Sequence, residues 1–498
     1  MGLKSFFGVQ YARWVNLQNA WWINNPLKAQ EKVFKSLISK AEKTAFGKIH
    51  GFENIKSYED FKSVVPLRDY EELKPYIERA LEGEKDVLWK GLPLYFCKTS
   101  GTTSGTKYIP ISKDSMPYHL KGAKDAILSY VHETSNARFL SGKNIFIQGS
   151  PELDFSKSAP LGRLSGIVAH HIPWYLQRDN TPTFETNCIE EWEKKIEAII
   201  DETISENMTL ISGIPPWVQM YFERVCEKTG KAVKDVFPEY SLFVYGGVNF
   251  EPYKNRFIEL VGKDVPSVET YPSSEGFIAY QDQQNAEGLL LCVNHGIFYE
   301  FIEAGRFFEE KVERISLAEV EIGKDYVVIL NTNAGLWAYN IGDTVRFVST
   351  SPYRIVVSGR IKHYTSAFGE HVIGKEVEEA LYSVLKKHNA VVREFHVAPE
   401  VNPKTGLPYH EWFIEFRQNP TNESLFAEEL DVAMQKQNTY YKDLVDGKVL
   451  KPLVIKTVQE NGFLKYMKLE GKLGGQNKPP RLANNRKLAN SLTPYLND

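Results

Sequence analysis

The chain has 498 residues, 42% of them hydrophobic and 25% charged, with a net charge of −3. That length exceeds what one hydrophobic core sustains, so two or more domains are expected, and the composition is that of a soluble globular protein. The small net charge gives no general electrostatic case for nucleic acid or an acidic membrane as partner, and no window approaches the roughly 18 apolar residues of a membrane span.

The four cysteines (Cys97, Cys188, Cys226, Cys292) are far apart and form no C-x-x-C pair. Neither a disulfide framework nor a structural zinc site is expected, and a reducing compartment follows. The first residues lack a long apolar run, and Phe6 stands where a myristoylation signal needs Ser or Thr. A cytoplasmic location is therefore expected.

In chain order, residues 5 to 45 read as helices: Phe7, Tyr11 and Val15, then Val33, Leu37 and Ile38, recur at helical spacing with Pro26 between the runs. Trp14, Trp21 and Trp22 belong to the first run and read as core. Tyr58 to Leu81 is a further helical stretch, expected to break at Pro66 and Pro75.

Next comes Cys97-Lys98-Thr99-Ser100-Gly101-Thr102-Thr103-Ser104-Gly105-Thr106-Lys107-Tyr108-Ile109-Pro110. Apolar segments flank it, so it joins two strands. Glycines let backbone N–H groups turn inward, hydroxyls add donors and the lysine adds charge, which suits a polyphosphate. The pattern is not a Walker loop, because Lys107 is followed by Tyr108 rather than Ser or Thr. A flexible surface loop of the same composition is the competing reading.

A helix near Ser115 to Thr134 follows, then apolar strands at Lys143 to Gly149, Leu210 to Pro215, Leu242 to Gly247 and Ser267 to Pro272. Helices at Cys188 to Ile204 and Pro216 to Thr229 separate them. Strands ending in glycine or small polar residues, with helices between, predict an α/β sheet whose ligands bind outside the strands' carboxyl ends. From Gly288 to Phe347 the pattern alternates, predicting an antiparallel β-rich subdomain, and Tyr353 to Ser358 is a final strand ending at Gly359-Arg360. Beyond lies a βαβ-like pattern: Val377 to Leu385, Glu394 to Val397, Glu411 to Phe416 and Leu425 to Lys436. The expected architecture is a large N-terminal α/β domain (1–359), a hinge linker (360–374) and a smaller, mobile C-terminal α/β lid (375–498).

Three further elements carry chemistry. Tyr271-Pro272-Ser273-Ser274-Glu275-Gly276 offers an aromatic face, hydroxyls and a carboxylate past a strand end. Gly335 to Asp343 ends in an aspartate able to accept from ribose hydroxyls, and Gly475 to Arg481 presents Lys478 and Arg481 on a stiff loop. Taken singly, these are also a turn, a hairpin and a solvated tail. His170 and His171, adjacent on what reads as a strand, would face opposite sides and share no metal. No Gly-x-Ser-x-Gly elbow is present.

In order, these elements resemble the adenylate-forming enzymes, and more closely the Gretchen Hagen 3 (auxin-responsive) family of acyl-acid amido synthetases, in a bacterial-type form. The resemblance runs nearly end to end and includes Thr44 to Gly47, Tyr70 to Ile77, Gly213 to Trp217, Gly296 to Phe301, Gly342-Asp343 and Lys478 to Arg481. Plant relatives usually carry arginines before Gly-Asp, where this chain has Ala338 and Asn340, and His371 falls about where a plant lysine would sit.

The resemblance implies an ATP- and Mg²⁺-dependent ligase that adenylates a small carboxylic acid and passes the acyl group to an amine, an amino acid. Thr99, Ser100, Gly101, Thr102 and Thr103 would meet the phosphates, Tyr271 the adenine and Ser274 the α-phosphate. Gly246 and Gly247 would allow close backbone approach, and Asp343 and Arg360 would hold the ribose. Glu275 would ligate Mg²⁺, and Lys478 would neutralise charge developing at the α-phosphorus. Trp217 and His295 are candidates for the substrate pocket, a satisfied structural histidine being the competing reading for His295. A thioester-forming acyl-CoA synthetase and a catalytically silent binding protein of the same fold are the alternatives.

Overall fold

Helix formation at the amino end follows the apolar spacing and stops where proline dictates. Leu3–Asn24 and Pro26–Ala41 are separate helices, the second with proline at its first turn, where a missing N–H costs nothing. This computed structural model describes residues 3–100, 106–189, 191–247, 250–307, 309, 311–361, 364–365, 372–401, 403–470, 478–483 and 485–497.

Pro66 separates helices Tyr58–Val64 and Tyr70–Leu81 as expected, but Pro75 breaks nothing. It forfeits one backbone hydrogen bond, and two features outweigh that loss. Asp69 and Glu72 cap the helix start reciprocally, and Tyr70, Leu73, Ile77, Ala80 and Leu81 bury one face.

The body is one mixed sheet of twelve strands. Its parallel half runs, in spatial order, Asn180–Thr181, Lys143–Ile147, Met208–Gly213, Leu242–Gly246 and Ser267–Ser273. The chain then reverses in a hairpin to Gly276–Tyr280, and the order continues antiparallel through Leu289–Leu291, Tyr353–Arg360, Tyr339–Thr350, Asp325–Thr332, Ile297–Glu303 and Ile315–Ser316. The expected β-rich subdomain is thus an extension of the same sheet: alternation of side chains predicts antiparallel pairing but carries no information about which edge is joined.

Three apolar clusters cover the sheet. One packs the first helix and Met116–Thr134 on its middle, where Tyr280, Leu290 and Tyr299 are buried. A second holds Trp337 among the rings of Phe46, Phe52, Phe61 and Trp89. The third seats Pro215–Thr229 and Glu251–Val261 against the parallel strands. Within the second, Glu300 is buried and held by Arg314 at 3.3 Å, Tyr58 at 2.9 Å and Asn331 at 2.8 Å. Removing Arg314 would strand a buried carboxylate, which costs about 3–5 kcal/mol.

The C-terminal segment forms a separate three-stranded sheet, Val391–Glu400, Tyr409–Gln418 and Val454–Val458, with Gly374–His388 and Glu423–Gln437 packed on it. The first two strands are an antiparallel hairpin, and the βα-crossover lies between the second and third. Of the expected linker, Tyr364–Thr365 pairs antiparallel with Val372–Ile373. His371 and Gly369 lie outside the described residues. No described helix is long and apolar enough to cross a membrane.

Candidate active site

Parallel strands all present their carboxyl ends to one side, so the turns after them gather there. Gly149, Gly213, Gly246, Gly247 and Ser273 to Glu275 line a single cleft of ≈ 4370 Å³, walled on the far side by Lys478 to Leu482. That is several times the volume of one ligand pocket.

The Thr/Ser/Gly stretch is a hairpin: Tyr95–Ser100 pairs with Thr106–Ile111, the stem closing at Ser100 opposite Thr106. Thr99 and Lys107 reach the cleft. Gly101, Thr102 and Thr103 lie outside the described residues, and of Ser100 only the backbone is described. Lys107 sets its ammonium 5.2 Å above the Tyr70 ring, while Tyr70 Oη accepts from the Tyr108 N–H at 2.8 Å. The capped helix Tyr70–Leu81 therefore braces the return strand of the hairpin.

Ser274 and Glu275 occupy the tight turn between Ser267–Ser273 and Gly276–Tyr280. Cys97 donates to Ser274 Oγ at 3.2 Å, joining this turn to the hairpin stem. Burial, with the Glu275 charge adding to it, pushes the Cys97 thiol up to about 12, so it is a neutral packing group. Glu275 accepts from Ser273 Oγ at 2.9 Å, and its N–H donates back to that hydroxyl at 3.2 Å.

Tyr271 donates to Asp343 Oδ2 at 2.5 Å, and both line the cleft. Strand register sets Asp343 directly opposite Arg360, of which the backbone alone is described. The turn before Asp343 is shaped by Gly342 at φ +83 and by Asn340, whose Oδ1 accepts the Gly342 N–H at 2.8 Å. Asn340 thus has a structural task in this turn.

Gly246 faces Thr270 so closely that a Cβ would meet its carbonyl oxygen at 2.5 Å, and Gly247 has φ +75. Lys478 donates to Gly247 O at 3.3 Å from across the cleft. Desolvation lowers the Lys478 ammonium to about 8, helped by the Arg481 guanidinium and opposed by Glu394, although the residue keeps more than a third of its surface exposed. Arg481 itself is an anchor: it pairs with Glu378 at 2.8 Å and lies 5.2 Å above the Phe395 ring. Its backbone bonds Val397 at 2.9 Å, stapling the lysine's segment to the small sheet.

Trp217 lines the cleft from the first turn of Pro215–Thr229 and packs in the core beneath. His295 does not line it, which corrects the sequence expectation. It is enclosed behind Met116–Thr134, between Trp22 and Tyr118, with Nε2 4.0 Å from Asp125 and neither ring nitrogen hydrogen-bonded. Burial holds its imidazole neutral. His119 takes the cleft-facing place instead, with Ala123 and Ile127 one and two turns further along the same helix. Burial lowers the His119 pKa to about 4, and its Nδ1 has no hydrogen-bond partner. The i, i+4, i+8 spacing of His119, Ala123 and Ile127 in a helix directly after the phosphate-type loop was a legible signal for it. Glu269, also lining the cleft, is raised to about 7 by burial and accepts from Tyr245 at 3.3 Å.

His170 and His171 end a short helix, Leu164–Ala169, rather than a strand, and their Nε2 atoms meet Pro151 O at 2.8 Å and Tyr95 Oη at 3.0 Å. Among the described residues no three His, Cys, Asp or Glu side chains converge as a metal cage. Glu275 still fits Mg²⁺, which needs only one or two protein carboxylates beside phosphate oxygens.

Known proteins resemble this chain in sequence and in fold. The chain is 21% identical to a jasmonoyl-L-amino acid synthetase, JAR6, of Nicotiana attenuata, over 64% of this chain and 66% of that protein. It is 22% identical to the indole-3-acetic acid-amido synthetase GH3.3 of Arabidopsis thaliana, over 88% of this chain and 86% of that one. The fold matches the structure of AtGH3.15 acyl acid amido synthetase in complex with 2,4-DB, with a TM-score of 0.77 at 16% identity, covering 95% of this chain and 94% of that one. More distantly it matches 2-hydroxyisobutyryl-CoA ligase in the postadenylation state, with a TM-score of 0.57 at 12% identity, covering 94% and 91%. The GH3 family N-terminal domain matches residues 22–146 and 134–266, the central domain 290–360 and the C-terminal domain 375–487. With all three domains matched in order, the chain belongs to the GH3 family.

Proposed function

We propose that the protein is an AMP-forming acid–amino acid ligase: it adenylates a carboxylic acid with ATP, releases pyrophosphate and transfers the acyl group to the amine of an amino acid. One observation carries this reading. The hairpin stem, the Ser274-Glu275 turn, the Tyr271–Asp343 pair, Gly246-Gly247 and Lys478 converge on one cleft although they span almost 400 residues of sequence. The names of the GH3 relatives support the same reaction class.

In this reading Thr99, Ser100, Gly101, Thr102 and Thr103 donate to the phosphates, and Gly246 and Gly247 leave room for the nucleotide beside the strand end. Tyr271 lies against the adenine, Asp343 and Arg360 hold the ribose and Ser274 meets the α-phosphate. Glu275 holds Mg²⁺, whose chemistry is to neutralise phosphate charge. The substrate carboxylate is already a nucleophile at neutral pH, so no base is required for its attack on the α-phosphorus. Lys478, delivered by the C-terminal segment, offsets the charge that develops there. Residues 1–359 act as the adenylation body and 375–498 as the lid, with 360–374, including Gly374, as the hinge.

We assign the acid's tail to the apolar part of the cleft lining that includes His119, Ala123, Ile127, Leu210, Val244 and Phe277, with Trp217 on the same cleft. The reaction is assigned to the cytoplasm.

The test is acid-dependent exchange of labelled pyrophosphate into ATP over a panel of carboxylic acids, followed by product analysis with amino acids and with coenzyme A. Exchange with apolar acids and an amide product are expected. An acyl-CoA product would assign the protein to thioester formation, and absence of exchange across the panel would overturn the reading.

A further inference from the structure

The first helix is apolar on both faces but covered on only one. Ser5, Val9, Ala12, Val15, Asn19 and Trp22 turn inward toward Met116–Thr134 and the sheet. Phe6, Phe7, Tyr11, Trp14, Leu17 and Trp21 turn outward, with Leu17 75%, Phe7 61% and Trp14 52% exposed. At 3.6 residues per turn the outward six fall on one continuous arc. With about half of some 200 Å² per side chain exposed, they present roughly 600 Å² of apolar surface, at the upper end of what a soluble monomer tolerates. The rings are ordered among themselves, Tyr11 stacked on Trp14 at 5.8 Å and Phe6 edge-on to Phe7 at 5.7 Å.

The first helix and the start of the second carry positive charge only. Residues 1–30 contain Lys4, Arg13 and Lys28 and no Asp or Glu, although the whole chain carries −3. Lys32, on the next helix, sets its ammonium 5.9 Å from the Trp21 ring. Glu31 is paired with Lys35 at 2.5 Å and Asp179 with Lys4 at 3.2 Å. Exposed Trp and Tyr flanked by lysine and arginine are the residue types that gather at a membrane–water interface. A two-fold dimer through this face would bring together two helices that carry positive charge only, whereas an anionic surface neutralises them.

We propose that Leu3–Asn24 docks the protein peripherally on an anionic lipid bilayer, its outward aromatic face entering the headgroup region and Arg13, Lys28 and Lys32 meeting the phosphates. The inference does not depend on the reaction assigned above, and its test uses no substrate. Full-length protein is sedimented with vesicles of phosphatidylcholine alone, or of phosphatidylcholine with an equal part of phosphatidylglycerol, while tryptophan emission is followed. Partition onto the anionic vesicles is expected, with a blue shift and a loss on adding salt. Arg13→Glu should weaken partition about fivefold or more, given roughly 1 kcal/mol per cation near such a surface. Trp14→Ser with Trp21→Ser should weaken it roughly tenfold or more. These side chains are outward, so unchanged circular dichroism and thermal midpoint are expected, and Leu17→Lys gives an independent probe of the same face. No partition at low salt, or wild-type partition by the double-tryptophan and Leu17→Lys variants, would overturn the proposal. So would light scattering that shows a dimer which these substitutions convert to monomer, since that would give the face to a second copy.

Discussion

Lys478 offers the sharpest test of the proposed chemistry, because its environment dictates both a rate and a pH dependence. Its ammonium sits 3.3 Å from Gly247 O, between the two walls of the cleft, with its pKa lowered to about 8. Lys478→Ala removes one preorganised charge from the site of charge development, a loss of about a hundredfold or more in adenylation. Aminolysis of a preformed acyl-adenylate releases AMP rather than pyrophosphate and should suffer less.

The pH profile is independent of that comparison. A lysine lowered to about 8 is about nine-tenths charged at pH 7 and about one-tenth charged at pH 9. The kcat/KM of adenylation, which reports the free enzyme, should therefore fall on an alkaline limb centred near 8. Lys478→Arg, charged throughout, should lose that limb even if its absolute rate is lower. The assays are single-turnover kinetics on each half-reaction, with acyl-adenylate supplied for the second, and pyrophosphate exchange from pH 6.5 to about 9.5. Equal slowing of both halves in Lys478→Ala, or an unmoved alkaline limb in Lys478→Arg, would refute the argument.

Three further outcomes follow from other parts of the cleft. Glu275→Gln should depress adenylation, most at limiting Mg²⁺, with the thermal midpoint little changed; wild-type rates under those conditions would remove its metal role. Gly246→Ala drives a Cβ to 2.5 Å from Thr270 O, so it should cost about 1–3 kcal/mol in urea unfolding and weaken ATP binding by calorimetry. Glu269, with its carboxyl raised to about 7 by burial, is uncharged in the folded protein where the unfolded chain is already ionised. Stability therefore falls as pH rises from about 4.5 through 7. Glu269→Gln should stabilise by about 1–3 kcal/mol at pH 8 and by little at pH 4.5, read from urea midpoints at the two values.

Much of the local grammar was legible in the sequence because local rules govern it. Pro26 at a helix start, apolar strands ending in Gly213 and Gly246, the hairpin around Gly101 to Gly105 and alternation from Gly288 onward each follow from backbone sterics and side-chain period, which act over a few residues. The order of these elements also carried the family, since the GH3 domains follow one another along the chain. Tertiary structure decided what is summed over distant neighbours. Pro75 stays inside a helix because its caps and buried face outweigh one lost bond. His119 rather than His295 faces the cleft because Met116–Thr134 turns one histidine toward the strand ends and stands in front of the other, a difference no spacing rule contains. Tyr271 meets Asp343 across 72 residues and Lys478 meets Gly247 across 231. The first helix, whose tryptophans read as core, keeps only Trp22 inside and turns Trp14 and Trp21 out. Hydrophobic spacing records that a residue is apolar; whether anything covers it depends on what the rest of the fold brings alongside.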